Sequence, residues 1–141
     1  MSLPYTRGSV LGFLPNPDRK EGDNAMTTSG CEWIVEAHHC DAASVSDPEA
    51  LRALFERLIQ EMSLHPIGET LWHQFPGGGI TGLALLQESH IACHTFPEHR
   101  SLCLNVFCCR PRPDWDFDAC LRREFGAKSV EVRRLDRPYS E

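Results

Sequence analysis

The sequence predicts an α/β protein of the α+β type, a two-layer sandwich in which two helices cover one face of a mostly antiparallel sheet. Three observations support this prediction. Several short runs alternate between apolar and polar residues, as strands with one buried face do. Two other runs carry apolar residues at helical spacing. Along the chain these runs follow the order β-α-β-β-β-α-β.

The N-terminal segment, residues 1–29, looks like an extension that lies outside this fold. It is rich in proline and glycine and contains the charged, turn-like run N-P-D-R-K-E-G-D at residues 16–23. We therefore expect residues 1–29 to form a flexible arm and residues 30–141 to form a single domain. Met26 is an alternative start of the natural chain.

The first strand and the first helix have the clearest patterns. A period-two alternation runs from Cys31 to His38 and predicts a strand. Residues 42–46 are predicted to form a loop. Asp47 and Pro48 then supply a preferred N-cap and a preferred first residue of a helix. The apolar stripe of that helix consists of Leu51, Leu54, Phe55, Leu58, Ile59 and Met62.

The later runs complete the sheet and the helical layer. A glycine-rich turn at residues 76–79 joins two of the strands. A second helix is predicted over residues 115–125, with Gly126 as its C-cap. The remaining strands are predicted at residues 69–75, 80–86, 101–109 and 129–135, and residues 89–96 are expected to continue in an extended conformation.

Composition excludes several classes of protein. A chain of 141 residues fits one domain with a substantial core. The net charge of −6 argues against a nucleic-acid-binding surface, which needs clustered basic residues. No apolar run is long enough to span a membrane, and the N-terminus lacks a signal-peptide core. We therefore expect a cytoplasmic protein with neither nucleic acid nor membrane among its partners.

The cysteines and histidines do not indicate a metal site or a disulfide framework. The seven cysteines include no C-x-x-C pair, and their spacing matches no zinc module. The run His38-His39-Cys40 would place neighbouring side chains on opposite faces of a strand. Most of the cysteines are expected to be small buried residues.

Polar residues of reactive types are concentrated in residues 87–98. This segment contains a serine, two histidines and two glutamates, directly after the apolar run 80–86. Polar groups so dense behind a buried strand are costly to fold around unless they are paired. The density therefore predicts a functional site in this segment.

The sequence E-S-H-I-A-C-H-T-F-P-E, residues 88–98, resembles the self-cleavage region of bacterial S-adenosylmethionine decarboxylases, E-S-H-[LI]-x-x-H-T-W-P-E. The resemblance extends over about residues 31–135. It implies that the chain cleaves itself between Glu88 and Ser89 and converts Ser89 into a covalent pyruvoyl group. This cofactor would form an imine (Schiff base) with the amine of S-adenosylmethionine and accept the electrons released with carbon dioxide, for spermidine and polyamine synthesis.

The same resemblance assigns roles to further residues. It implies that His94 is the base in processing, that Thr81 supplies a stabilising hydroxyl, and that Cys109 protonates the substrate carbon after decarboxylation. In a regular strand Ser89 and His94, five residues apart, would face opposite sides. A bulge, bend or break at residue 89 is then required if they are to cooperate.

Residues 73–82, H-Q-F-P-G-G-G-I-T-G, are similar to another family segment and point to substrate binding. The resemblance implies that Phe75 stacks on adenine and that Glu98 accepts hydrogen bonds from the ribose hydroxyls. Without it, Phe75 is equally explained as a core residue, Glu98 as a solvated turn residue and Cys109 as one more buried cysteine. The chain departs from the family pattern at Phe96, Thr81 and Asn105, where tryptophan, serine and aspartate are usual.

Two alternatives to the S-adenosylmethionine decarboxylase hypothesis remain open at this stage. One is a related pyruvoyl-dependent decarboxylase of ornithine or arginine, and the other is an uncleaved, non-enzymatic homologue that acts as a binding partner. We also expect a homodimer of processed protomers, because helices on one face leave the second face of the sheet uncovered. The resemblance likewise implies active sites shared between protomers.

Overall fold

The computed structural model describes residues 28–140 and confirms the predicted fold class. A six-stranded antiparallel sheet has the strand order β2-β3-β4-β5-β1-β6. The strands are β1 (Ser29–His38), β2 (Leu71–Gln74), β3 (Ile80–Leu85), β4 (Ser89–Phe96), β5 (Ser101–Cys108) and β6 (Ser129–Pro138). The helices are α1 (Ala42–Val45), α2 (Pro48–Glu61) and α3 (Phe117–Phe125), with a 3-10 turn at Pro97–His99.

The core lies between the sheet and the helices α2 and α3. Alternate residues of the central strands point into it, and the apolar stripes of both helices close it from the other side. The aromatic rings of Trp33 and Phe117 meet there with centroids 6.0 Å apart. Burial of each such large side chain contributes about 1.5–3 kcal/mol. We call the opposite, helix-free surface of the sheet the open face.

The predicted helix ends form as expected. The side chain of Asp47 accepts a hydrogen bond from the Glu49 N–H at 3.0 Å, which caps α2. At the end of α3, Gly126 adopts φ +66°, a conformation that side chains disfavour. Both ends therefore follow from local sequence chemistry.

Two predicted segments differ from the structure. Residues 89–96 form the separate strand β4, so the sheet has six strands where the sequence predicted five. The chain reverses at residues 86–88, where the Leu86 N–H donates to the Ser89 carbonyl at 3.0 Å. Ala42–Val45, predicted as loop, is the one-turn helix α1.

Of the predicted N-terminal extension, residues 1–27 lie outside the described residues, and Ser29 is the first residue of β1.

Strand β4 has hydrogen-bonded neighbours on both sides. It pairs with β3, where Thr81 is opposite His94, and with β5, where Ser89 is opposite Cys108.

Within residues 28–140, no helix has the length and apolar character needed to cross a membrane. All seven cysteines are free thiols.

Candidate active site

Ser89 has a strained backbone. Its φ of 152° lies in a region that residues with a side chain rarely adopt. Such a conformation costs about 1–3 kcal/mol and persists only where the surrounding structure imposes it. Ser89 is also the first residue of β4, directly after the β3–β4 turn. The structure thus stores strain at the peptide bond that the sequence resemblance marks for cleavage.

The carbonyl group on the other side of this peptide bond is hydrogen-bonded by the main chain of Cys109. The Cys109 N–H donates to the Glu88 carbonyl oxygen at 2.7 Å. Although 20 residues separate Ser89 from Cys109, the pairing of β4 with β5 brings them to the same end of the sheet. A donor in this position polarises the carbonyl and can stabilise negative charge that develops on its oxygen.

The side chain of Glu88 is buried and paired with groups that the sequence did not predict. The residue as a whole is 6% exposed, and its carboxylate accepts a hydrogen bond from the His65 N–H at 3.0 Å. Its carboxylate also contacts the His65 ring at Nδ1 and the Arg112 guanidinium, the latter at 3.5 Å. The sequence contains only an indirect sign of these contacts, since a glutamate directly behind a buried strand needs partners.

His94 and Thr81 meet at the other end of β4. Thr81 Oγ1 lies 3.1 Å from His94 Nδ1, as expected for side chains opposite each other on neighbouring antiparallel strands. Both side chains are on the open face, and His94 is exposed. The structure therefore brings together the two groups for which the resemblance implies a role in processing.

The two residues expected to bind the nucleoside lie near this pair. Phe75, half-exposed, precedes the glycine turn and packs edge-on against His73 at 4.5 Å between centroids. That turn lies against Pro97, because Gly78 and Gly79 both approach its ring. Glu98, the next residue, is exposed in the 3-10 turn. Phe75 and Glu98 thus occupy adjacent turns at the His94 end of β4.

Within one chain, Ser89 and His94 do not meet. The pairing of β4 with β5 is uninterrupted from Ser89 to Phe96, so the bulge that would have brought them together is absent from this strand. Five residues of strand separate their Cα atoms by about 16 Å. The chain therefore carries two groups of site residues, one at each end of β4.

A polar network covers the open face next to the Ser89 end. His90 Nε2 lies 2.8 Å from Asn105 Oδ1, and Asn105 donates in turn to Glu32, which also pairs with Arg137. The ring of Phe107 stacks on His90 at 5.8 Å between centroids. Asn105, noted in the sequence only as a departure from the family pattern, thus connects two charged or ionisable side chains.

The environment of the thiols distinguishes Cys109 from its neighbour. Cys108 points into the core, and burial raises the pKa of its thiol to about 12. Burial likewise raises the pKa of Cys93 to about 12. Cys109, in contrast, follows the last residue of β5 and is partly exposed. Of the two adjacent cysteines, only Cys109 lies outside the core.

Comparisons with known proteins agree with the resemblance. The family model described as S-adenosylmethionine decarboxylase matches residues 31–138. An S-adenosylmethionine decarboxylase proenzyme of Picrophilus torridus is 34% identical over 110 residues, which cover 77% of this chain and 83% of the relative. The proenzyme of Pyrococcus furiosus is 30% identical over 118 residues, covering 82% and 84%.

A solved structure is similar as well. The crystal structure of the adenosylmethionine decarboxylase from Aquifex aeolicus matches with a TM-score of 0.67 and 25% sequence identity. The match covers 82% of this chain and 95% of that one. The similarity therefore extends over nearly the whole described domain.

Proposed function

The chain belongs to the S-adenosylmethionine decarboxylase family, and on that premise we propose that it is a self-processing, pyruvoyl-dependent decarboxylase of S-adenosylmethionine that serves polyamine synthesis. The observation that carries this proposal is the geometry of the Glu88–Ser89 peptide bond. Ser89 is strained at φ 152°, and the preceding carbonyl accepts a hydrogen bond from the Cys109 N–H at 2.7 Å. Both features favour attack on that carbonyl.

Self-processing would proceed in three steps. The Ser89 hydroxyl attacks the Glu88 carbonyl carbon, the amide C–N bond breaks, and an ester replaces it. Loss of the Ser89 α-proton then breaks the Cβ–Oγ bond, which leaves a carboxylate on Glu88 and a dehydroalanine at position 89. Water hydrolyses the imine tautomer of this residue, which releases ammonia and leaves a pyruvoyl group. The Cys109 N–H would stabilise the oxyanion of the first step.

The residues at the Ser89 end fit such a group. Once formed, the pyruvoyl carbonyl would supply the electron sink for decarboxylation. The thiol of Cys109, at the same end of the sheet, would deliver a proton to the substrate carbon. At the other end of β4, Phe75 would stack on the adenine ring and Glu98 would accept hydrogen bonds from the ribose hydroxyls, and the dimer proposed below would bring these two residues of one protomer to Ser89 of the other.

The two residues expected to bind the nucleoside favour S-adenosylmethionine decarboxylation over the alternatives. An ornithine or arginine decarboxylase has no need of an aromatic ring and a carboxylate for a nucleoside, and Phe75 and Glu98 are both present on adjacent turns. A non-enzymatic homologue has no need of strain at Ser89. The proenzyme names of the relatives also favour the decarboxylase.

The active site would be completed by a second copy of the chain. His94 lies about 16 Å along β4 from Ser89 in the same chain, too far for proton transfer. In a two-fold dimer built on the open faces, the partner's His94 and the partner's Thr81 would approach Ser89. By symmetry, the same contacts would form at the second site. His94 of the partner subunit would then remove the Ser89 α-proton.

The open face has the properties of such an interface. Five of its large apolar side chains are at least 40% exposed: Leu71, Leu83, Leu85, Phe96 and Leu135. Glu36 on the same face has one unsatisfied oxygen: its buried Oε2 accepts no hydrogen bond from residues 28–140. An unsatisfied buried oxygen and an exposed apolar surface on one face both favour a covering partner.

Mass spectrometry of the denatured protein tests the proposal. Purified protein should contain fragments 1–88 and 89–141, the second carrying a carbonyl in place of an N-terminal amine. Ser89→Ala should abolish cleavage completely, whereas Ser129→Ala, at the exposed start of β6, should leave it unchanged. A wild-type chain that stays intact after prolonged incubation would show that the proposal is wrong.

A further inference from the structure

We propose that Arg112 and His65 are positioning residues for self-processing, because they fix the side chain of Glu88 and thereby hold the scissile carbonyl in place. The inference rests on the proposed function and adds to it two residues outside the recognisable motif. Arg112 belongs to the proline-rich loop between β5 and α3, and His65 follows α2. Neither lies within 20 residues of Glu88 in the sequence.

Glu88 is a buried acid, and among residues 28–140 its carboxylate is paired with these two residues. Its side chain is 7% exposed, and that of Arg112 is 13% exposed. The carboxylate is bound by the main-chain N–H and the ring of His65 and by the guanidinium of Arg112. A carboxylate in this environment needs such partners, since leaving it unpaired carries a large desolvation penalty.

The contacts act on the bond that breaks because both the side chain and the carbonyl of Glu88 are held in place. The side chain is bound by His65 and Arg112, the carbonyl by the Cys109 N–H, and the following residue is strained. Strain of this kind survives only while the surrounding contacts prevent relaxation. Loosening the side chain would let residue 88 rotate, so that the carbonyl moves away from the Cys109 N–H and from the Ser89 hydroxyl.

The two positioning residues are themselves well anchored. The Gln87 N–H donates to the His65 carbonyl at 2.8 Å, and the Ile67 N–H donates to the Leu85 carbonyl at 2.8 Å, so the His65 segment is fastened to the end of β3. Arg112 also donates to the Met62 carbonyl at 3.3 Å. Both residues therefore present their polar groups to Glu88 from a rigid frame.

A surface pocket beside Arg112 makes the role testable by chemical rescue. The pocket has a volume of about 300 Å³ and is lined by Arg112 together with Met62, Trp115 and neighbouring loop residues. Truncating Arg112 would extend this pocket towards Glu88. A guanidinium ion from solution could then occupy the place of the missing side-chain group.

The experiment measures the rate of cleavage in freshly translated chains by following the appearance of fragments 1–88 and 89–141. Arg112→Ala should slow cleavage about 10- to 100-fold, the loss that misplacement of reacting groups by about 1 Å produces. Guanidinium chloride at millimolar concentration should restore much of the rate with saturation, whereas sodium chloride should not. His65→Ala, which keeps its N–H donor but loses the ring, should slow cleavage less.

A double mutant separates positioning from a general loss of stability. In a Glu88→Gln background, where no carboxylate remains to pair, Arg112→Ala should cause little additional slowing. Arg57→Ala is the matched control, since it removes an arginine that pairs with Glu61 and Glu124 away from the site, and it should leave the rate unchanged. If Arg112→Ala does not fold, Arg112→Gln, which keeps the aliphatic part of the side chain and a donor but is shorter and uncharged, serves in its place.

The outcomes distinguish this inference from the proposed function. If the wild type cleaves and folded Arg112→Ala cleaves at the same rate, the positioning role is wrong and the proposed function stands. The same conclusion follows if Arg112→Ala is slow but guanidinium does not restore the rate and the Glu88→Gln background does not suppress the slowing. A wild-type chain that never cleaves would overturn both.

Discussion

The two ends of β4 differ in nearly every physical property. At the Ser89 end the backbone is strained, Glu88 is buried and paired, and the Cys109 N–H donates a hydrogen bond to the Glu88 carbonyl. At the His94 end the backbone is regular and the polar pair of Thr81 and His94 lies on the open face. At the first end the side chain of Glu88 is buried and paired within the chain, whereas at the second end the side chain of His94 is exposed.

On the proposed function, this difference would place two parts of one active site at opposite ends of a strand. An uninterrupted strand is rigid, so about 16 Å between Ser89 and His94 cannot be closed by a local motion. In a two-fold dimer, the His94 end of one protomer can lie beside the Ser89 end of the other. The predictions below test whether the two ends work together across protomers.

The largest effect is expected from mixing chains that are each defective at one end. Ser89→Ala and His94→Ala should each fail to cleave as homodimers. In co-expressed chains, the mixed dimer contains one site with an intact Ser89 and an intact partner His94. Random pairing places about half of the His94→Ala chains in such dimers, so up to that share should be cleaved. The cleaved fraction is measured by mass spectrometry, and its absence would mean that Ser89 and His94 do not act across protomers.

Placing a charge on the open face should separate the protomers. Leu83→Arg would bring two guanidinium groups into an isologous interface, because the same residue is contributed twice. Sedimentation should show a dimer for the wild type and a monomer for this variant, with strongly reduced cleavage. Val132→Arg is the matched control, since Val132 is similarly exposed but faces the other side of the sheet. A wild-type protein that sediments as a monomer at micromolar concentration would contradict the dimer.

A change at Cys109 should separate turnover from processing at the Ser89 end. Cys109→Ser keeps the main-chain N–H that contacts Glu88 but replaces the thiol with a much weaker acid. Cleavage should continue, while release of carbon dioxide should fall by about 10²–10⁴-fold or be accompanied by faster inactivation through protonation of the wrong atom. Cys108→Ser should reduce stability more than turnover, because Cys108 lies in the core. A Cys109→Ser enzyme with wild-type turnover and lifetime would make this cysteine structural.

The smallest effect concerns acid stability near the Arg112 loop. Hydrogen bonds from Arg134 and then Trp33 lower the pKa of Asp114 below its usual 3.8. A depressed carboxyl pKa stabilises the folded state above the ordinary value, and that stability is lost as the pH falls through the lower, folded value. Asp114 is exposed, so the contribution is modest. The urea midpoints of the wild type and Asp114→Asn should differ slightly at pH 7, and the difference should shrink as the pH falls below 3.8. A difference that does not shrink as the pH falls below 3.8 would exclude the ionised carboxylate as its cause.

Much of this molecule was predictable because it depends on neighbours in the sequence. Alternation from Cys31 to His38 gave β1, and the Asp47–Pro48 pair gave the start of α2. The chain reversal at residues 86–88 was missed, because no glycine or proline marks it and the turn is formed around a buried glutamate. The short helix α1 was missed for a different reason: Ala42–Val45 has too few residues to show a helical period.

The sequence alone predicted which residues face the core, where the candidate site segment lies and that Ser89 and His94 would face opposite sides of a regular strand. Periodicity and motif spacing are local, and side-chain direction follows from them directly. The three-dimensional arrangement is needed to show that His65 and Arg112 bind Glu88, that the Cys109 N–H reaches the Glu88 carbonyl, and that β4 runs without a bulge. The contacts of Glu88 join residues more than 20 positions apart, and their formation depends on strand order and loop path, which no local pattern encodes.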